Sequence, residues 1–379
     1  MEFVTRTSAV LGTFGWTHEF LTLDRPDDSW VKSSPATVHA MGVHGRVSMW
    51  LQRRIPLLRY GLTPHLVPWL RDNVDRFDVV VVNGLWNFTA LAARIVLPGR
   101  RPYIVFTHGM IDPWFRATYP LKTYIKQFFW WFIEGPLLSH ARFVIFLAEE
   151  EKLLARNAFW PYRVTETVVG NGTTSPDISL EEQDAAFATA FPDLKQKRFL
   201  LFLSRIHQKK GCDLLLRAFA QIAKRDPMVE LVMAGPDQVG WTVELKRLAQ
   251  ELSIANRVHW LGMVSGAAKW GAYRACEAFV LPSHSENFGV VVAEAMASGR
   301  PVLISDKVNI WREVKASGGG LVESDTVAGA VKLLSEFYSL SSEQKAAMGL
   351  AARHGFERYF DLRRTAVTFK EFLENNFEK

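Results

Sequence analysis

Cysteine is almost missing from this chain: Cys212 and Cys276 are the only two among 379 residues. They lie far apart with no metal-ligand spacing around them, which excludes a disulfide framework and leaves no sign of a structural zinc site. A reducing compartment suits such a chain. Long apolar runs are lacking too. The strongest, Phe128-Phe129-Trp130-Trp131-Phe132-Ile133, falls far short of the roughly 18 residues that a membrane span requires. No signal peptide is recognised at the start, so no segment is expected to cross a bilayer and a cytoplasmic location is expected. Neither the G-x-G-x-x-G dinucleotide fingerprint nor the G-x-x-x-x-G-K-[ST] phosphate loop occurs, which counts against hydride transfer and ATP hydrolysis. Internal repeats and low-complexity segments are absent as well.

Apolar residues make up 48% of the chain and charged ones 22%, enough to bury large cores, and the length points to two domains. The net charge of +6 is uneven, with ten Lys or Arg against five Asp or Glu between Arg94 and Arg163. A basic surface interleaved with aromatics attracts nucleic acid, anionic lipid or phosphorylated substrates, and it is equally the composition of a solvated helix face. The basic residues form no recognised nucleic-acid motif, so nucleic acid is not an expected partner.

Short β-rich apolar runs alternate with amphipathic stretches, the pattern of parallel sheets covered by helices on both faces. One series runs Phe20–Leu23, Asp78–Val82, Tyr103–Thr107, Phe143–Phe146 and Val164–Val169. A second runs Phe199–Leu203, Glu230–Met233, Val258–Trp260, Ala278–Leu281, Pro301–Ile304 and Gly320–Val322. Between them, Gly170 to Asp177 is rich in turn formers and a polar stretch follows to about Lys197. The expected division is therefore an α/β domain over 1–172, a second α/β domain over 173–360 and a terminal helix over 361–379 that crosses back to the first. Two doubly wound domains bind ligands beyond the carboxyl ends of their strands, so the chemistry is expected between the halves.

Three stretches carry candidate chemistry. In Leu281 to Pro301 a strand ends, a polar loop holds Glu286, and a helix opens near Gly289 with Glu294 about two turns into it. Free N–H groups at a helix start suit an anion, and a carboxylate accepts two hydrogen bonds from a vicinal diol, so two such acids read a sugar and a ribose. Taken alone, Glu286 is equally a carboxylate complementing the helix dipole, and Glu294 a solvated helix position. In Phe199 to Phe219 a strand runs into a loop with Arg205 and Lys210 before a helix at Gly211. Such a pair neutralises the roughly two negative charges of a diphosphate, more so as it departs. No Asp-x-Asp pair occurs, so no metal is expected. In the first half, Thr107-His108-Gly109-Met110-Ile111-Asp112-Pro113-Trp114 follows a strand directly, and Asn83-Gly84-Leu85-Trp86 follows the preceding one. A His-Gly pair at a strand end brings imidazole and backbone close to a ligand, and Trp86 is either a sugar-stacking face or core.

The ordered set resembles family 4 of the retaining glycosyltransferases over almost the whole chain. It comprises the His-Gly-Met-Ile-Asp-Pro-Trp loop, the hinge Asn171-Gly172, the Arg205/Lys210 pair and the Glu-x7-Glu signature of Glu286 and Glu294. The resemblance implies a GT-B fold, two Rossmann-like domains facing across a cleft. It also implies that Arg205 and Lys210 hold the donor diphosphate, Glu286 the hexose hydroxyls and Glu294 the ribose diol. The backbone of Asn287, Phe288, Gly289 and Val290 would contact sugar and phosphate, and His108 would face the sugar near its reacting carbon. The implied reaction moves a hexose from a UDP- or GDP-sugar to a glycan or lipid-linked acceptor in surface polysaccharide or lipopolysaccharide biosynthesis, with retention and without cofactor or metal. The helix over Lys122–Glu134 mixes bases with aromatics and is either a core-facing helix or a peripheral contact with the inner membrane face.

Two departures from the family stand out. Members begin with a strand and a glycine-rich turn, whereas here an apparent helix, Phe3 to Phe14, follows Met1 almost at once. The first strand is therefore expected to be missing through N-terminal truncation, leaving central backbone groups unpaired and the first domain poorly folded or inactive. Asn83 also stands where relatives commonly carry His. Rival readings are a catalytically impaired nucleotide-sugar-binding protein, and a nucleotide-sugar epimerase or sugar phosphorylase on the same fold.

Overall fold

Short apolar runs become strands because both faces of a parallel sheet are covered and their side chains have nowhere polar to point. The computed structural model describes residues 2–42, 60–114, 116 and 120–377. Its strands are β1 (Glu19–Thr22), β2 (Thr37–Ala40), β3 (Val80–Asn83), β4 (Tyr103–Phe106), β5 (Phe143–Phe146), β6 (Glu166–Val168), β7 (Arg198–Leu203), β8 (Val229–Ala234), β9 (Val258–Gly262), β10 (Ala278–Leu281), β11 (Val302–Ser305) and β12 (Gly320–Glu323). Among the described residues every pairing of these strands is parallel. The chain divides into two compact units, Met1–Gly170 with Ala366–Lys379, and Asn171–Thr365.

In the first unit β3 to β6 form one sheet in sequence order, and β1 pairs with β2 in another. All four residues of β4 are buried, and Val82, Tyr103, Val105, Trp130, Leu137, Val144 and Phe146 make the core. The final helix, Leu362–Phe377, lays Phe369 edge-on against Phe106 at 5.5 Å and Phe372 against Phe143 at 5.1 Å.

The second unit holds a six-stranded sheet in the order β12-β11-β10-β7-β8-β9. Its first strand, β7, is thus central, with later strands added on either side. The winding reverses between β7 and β10, and a crevice opens at the carboxyl ends of such a pair. The helix Cys212–Arg225 buries Leu215, Leu216, Phe219 and Ile222 along one stripe, the spacing of an amphipathic helix. Both cysteines are buried, and burial pushes each thiol up to about 12, well away from reactivity at neutral pH.

Three elements differ from the sequence reading. The strand β2 is unanticipated, being four residues with no run of apolar side chains. The polar stretch before Lys197 contains a helix, Leu180–Ala190, whose Ser179 accepts a hydrogen bond from Glu182 N–H at 3.1 Å. Gln183 and Phe187 are buried there, and a Cβ on Gly271 would overlap them, so only glycine lets the helix Gly266–Ala275 approach so closely. The expected helix over Lys122–Glu134 is α-helical as Pro120–Phe129 and then widens into a π turn, Trp130–Glu134. Pro136 has no N–H to continue the ladder, and Gly135 N–H reaches back to the Trp130 carbonyl instead. The wide turn rotates Glu134 into the interior, where it is fully buried.

Candidate active site

The loops after β7 and β10 meet at the reversal point. After β7 a short 3-10 turn, Gln208–Lys210, ends at Gly211 with φ of 65°, a left-handed conformation suited to glycine. A Cβ at Gly211 would overlap the Pro282 carbonyl, so glycine is what lets the two loops touch. The Lys209 carbonyl accepts from His284 N–H at 2.8 Å and from Ser283 Oγ at 2.8 Å. Glu286 is fixed through its backbone, its N–H donating to the Lys307 carbonyl at 2.9 Å and its carbonyl accepting from Asn309 N–H at 3.0 Å.

This arrangement brings Lys210 and Glu286 together, 76 residues apart in sequence, with Lys210 Nζ donating to Glu286 Oε2. Lys210 is buried. Burial pushes its ammonium down to about 7, and the neighbouring Lys209 and Arg205 push the same way. Arg205 itself is exposed. Together they make a concentrated positive field over one carboxylate, which suits a polyanion.

The helix Val290–Ala297 starts at Gly289, φ 73°, with no side chain capping it. Its first N–H groups therefore open toward the Glu286 loop. Phe288 is buried edge-on against Phe360 at 5.6 Å, and Asn287 Oδ1 accepts from Asn309 Nδ2 at 3.4 Å. Val290 is exposed. Glu294 is no solvated helix position: it is buried, accepting from Lys269 Nζ at 2.7 Å and Tyr273 Oη at 3.0 Å.

His108 lies in the first unit, at the carboxyl end of β4. Its φ is 48°, uncommon for a residue with a Cβ, although histidine adopts it more readily than most. Its Nε2 is 2.9 Å from Asn83 Oδ1 and its ring stacks on Phe106 at 5.6 Å, so the residue that departs from the family pattern serves as its partner. Beneath the loop, buried Glu151 accepts from Thr107 Oγ1 at 2.8 Å, Gly109 N–H at 2.6 Å and Leu147 N–H at 2.7 Å.

Burial lowers the His108 imidazole to about 4 from 6.5. The native state then binds fewer protons than the unfolded chain between those values and loses stability as pH falls through them. Glu134 has the opposite sign, burial raising it to about 7 from 4.5, so its contribution fades as pH rises through that window. A His108→Gln variant is therefore expected to lose less Tm than the wild type between pH 6.5 and 4 by scanning calorimetry. Parallel curves would contradict this.

Sequence reasoning did not single out Lys269, Tyr273, Asn309, Glu151 or Glu134. Lys269 and Tyr273 stand four apart on one helix, a spacing that shares a face and was the one signal available for them. Among the described residues no helix is long and apolar enough to cross a membrane.

Comparison with known proteins gives two family matches, a glycosyl transferase 4-like domain over residues 2–172 and glycosyl transferases group 1 over residues 187–355. A D-inositol 3-phosphate glycosyltransferase of Actinosynnema mirum is 40% identical over 111 residues, 27% of this chain and 27% of that protein. A homologue of the same description from Saccharomonospora viridis is 34% identical over 208 residues, 51% of this chain and 47% of that protein. The chain thus spans about a quarter to a half of the length of such curated relatives. Among solved structures, Anabaena HepE in complex with UDP-glucose superposes with a TM-score of 0.71 at 18% identity, covering 98% of this chain and 94% of that one. At that identity the likeness shows the fold, which is GT-B with two Rossmann-like domains.

Proposed function

The chain belongs to the group 1 glycosyltransferases of the family 4 type, and on that premise we propose that it transfers a hexose from a UDP- or GDP-sugar to a glycan or lipid-linked acceptor, with retention. The observation that carries this reading is the meeting of Lys210 and Glu286 at the reversal point of the second sheet. A cation for a diphosphate and an acid for hexose hydroxyls are held in one place by two backbone-fixed loops. Donor entry splits the pair. The diphosphate takes Lys210 and Arg205 without a divalent ion, and the hydroxyls take Glu286.

The bond between the anomeric carbon and the phosphate oxygen then breaks, and the acceptor oxygen bonds to the same face. Its proton passes to the departing phosphate, so the nucleoside diphosphate leaves as the conjugate acid. Negative charge grows on the leaving group in the transition state, which is where fixed cations and helix N–H groups lower the barrier most. His108 is assigned a hexose contact by the family pattern, and its neutral imidazole offers a hydrogen bond without adding charge. Glu294 is assigned the ribose, displacing Lys269 or sharing it. The Anabaena complex with UDP-glucose makes uridine donors the first to test.

Thermal shift with UDP- and GDP-hexoses tests the reading, because ligand binding to the native state raises Tm. One donor is expected to raise it and to yield glycosylated acceptor. Epimerised hexose in the absence of acceptor would favour the rival.

We further propose peripheral contact with an anionic membrane face, in surface polysaccharide assembly at the cytoplasmic side. On the helix Pro120–Phe129 and the turn after it, Leu121, Tyr124, Ile125, Phe128 and Phe132 are 58% to 81% exposed. Their spacing of three and four places them on one stripe, with Lys122 beside it, and such a face fits an anionic bilayer. Replacing Ile125 and Phe128 with serine is expected to cut co-sedimentation with phosphatidylglycerol vesicles at least fivefold. Unchanged pelleting would remove the membrane contact.

A further inference from the structure

A cleft of about 790 Å³ lies within the second unit, and Leu180, Arg274, Glu277, Arg300, Lys345 and Arg353 are among the side chains that line it. It opens at the amino ends of β10 and β11, since Glu277 directly precedes the one and Pro301 the other. Lys210 and Glu286 stand beyond the carboxyl ends of strands in the same sheet. The helix Val290–Ala297 runs between the two places, starting at Gly289 and ending with Ala297 in the cleft wall, a span of about 12 Å at 1.5 Å per residue. No step of the sugar transfer uses this cleft. We infer that it binds a phosphate monoester carried on a ring, of the size of a nucleoside monophosphate or a sugar phosphate.

Four cations line the cleft against one carboxylate, Glu277. That carboxylate is already taken, accepting from Arg198 Nε at 2.6 Å and Tyr338 Oη at 3.0 Å. Arg274 holds both oxygens of Asp184, at 2.8 and 3.0 Å. Arg353 donates to Glu357, to Ser175 Oγ and to the Ala297 carbonyl. Lys345 Nζ lies over the Phe337 and Tyr338 rings, at 4.7 and 4.8 Å from their centres. Arg300 is the cation left over. Among the described residues its side chain has no hydrogen-bond or ion-pair partner, and its Nε is buried. Asp184 feels its charge, but both oxygens of that carboxylate are engaged by Arg274. A buried N–H without an acceptor is costly to leave unmatched, and a phosphate is the anion that a guanidinium fork meets with two N–H groups at once.

The walls are fixed and partly apolar. Lys345, Ala346, Gly349, Leu350 and Arg353 follow one another at steps of one, three and four along the helix Ser342–Tyr359 and share its cleft-facing side. A Cβ on Gly349 would stand 2.6 Å from the Gly299 carbonyl oxygen, so glycine there lets this helix close onto the turn that carries Arg300. Leu180 and Leu350 line the cleft while 54% and 65% exposed, an apolar surface that suits a ring face more than a bare ion. The volume falls within the range of small-molecule sites and admits such a ring together with its phosphate.

Calorimetric titration of the full chain with AMP, glucose 6-phosphate, inorganic phosphate and adenosine tests the inference. One of the two esters is expected to bind more tightly than phosphate, and adenosine not detectably; the tighter ester assigns the ring to a nucleoside or to a sugar. Arg300→Gln should weaken that ester about tenfold or more, the loss of a charge-assisted contact. Its Tm should stay within about 2 °C of wild type, because the replaced guanidinium has no protein partner to lose. Lys345→Gln, on the helix wall, should weaken the ester in the same direction and supplies the test should Arg300→Gln fold poorly. Lys210→Ala, in the donor loop, should leave the ester's affinity within about twofold, as expected of a distant site. Adenosine binding as tightly as AMP, no binding by either ester or by phosphate, or unchanged affinity in both Arg300→Gln and Lys345→Gln would overturn the site. Loss of ester binding in Lys210→Ala would place the ester in the donor loops and overturn it as well.

Discussion

Replacing Lys210 with alanine is expected to lower kcat about 10²–10³-fold, the effect of removing one fixed stabiliser of developing charge, with a smaller change in KM. Arg205 is exposed, while Lys210 is buried and donates to Glu286. Lys210→Arg should recover little, because a planar guanidinium does not occupy the space of a compact ammonium in a buried contact. Steady-state release of nucleoside diphosphate from the accepted donor measures this, and activity within fivefold of wild type would remove Lys210 from the reaction. A pH dependence accompanies it. Burial holds the free ammonium at about 7, and a bound diphosphate favours its protonated form. Affinity for a UDP-hexose, whose phosphates are both esterified and do not titrate here, is therefore expected to fall as pH rises from 7 to 9.

The second large effect is on stability. Glu151→Ala removes the acceptor for three buried or half-buried donors at once, from Thr107, Gly109 and Leu147. Each buried donor left unpaired costs about 1–3 kcal/mol, so a loss of about 3 kcal/mol or more is expected in urea unfolding of the first unit. Glu151→Gln should recover part of it, since an amide oxygen still serves Thr107 and Gly109 while its NH₂ opposes Leu147 N–H. Wild-type stability in the alanine variant would mean the loop around His108 is held by something else.

That carboxylate illustrates what a sequence conceals. Glu149, Glu150 and Glu151 form the first turn of a helix, where acids ordinarily complement the dipole at the surface, and only the third folds inward. Glu294 conceals its setting in the same way, since its partners Lys269 and Tyr273 come from a helix some 20 residues earlier. Glu134 is buried by a π turn that follows from a missing N–H at Pro136, an effect no periodicity reveals. The helix Leu180–Ala190 is hidden because alanine and acids fill most of it and Phe187 alone marks its inner face.

Other features were plain. The strand runs of the second unit are unbroken apolar segments because both sheet faces are covered, and β7, β10 and β11 fall where those segments lie. Gly211 and Gly289 adopt left-handed conformations at the two loops that carry Lys210 and Glu286, so the residue types that permit the turns stand beside those that carry the charge. The meeting of Lys210 with Glu286 needed the strand order, which brings β7 next to β10.

Calorimetric titration of the wild-type chain and of Glu286→Ala with UDP, GDP and their hexose forms is the most direct measurement of the central claim. One hexose donor should bind with Kd below about 1 mM, near −4 kcal/mol, and more tightly than its free nucleotide, and the variant should lose that difference while retaining the nucleotide. No binding by any donor, or an equal loss for nucleotide and nucleotide-sugar, would contradict the assignment of Lys210 to the diphosphate and Glu286 to the sugar.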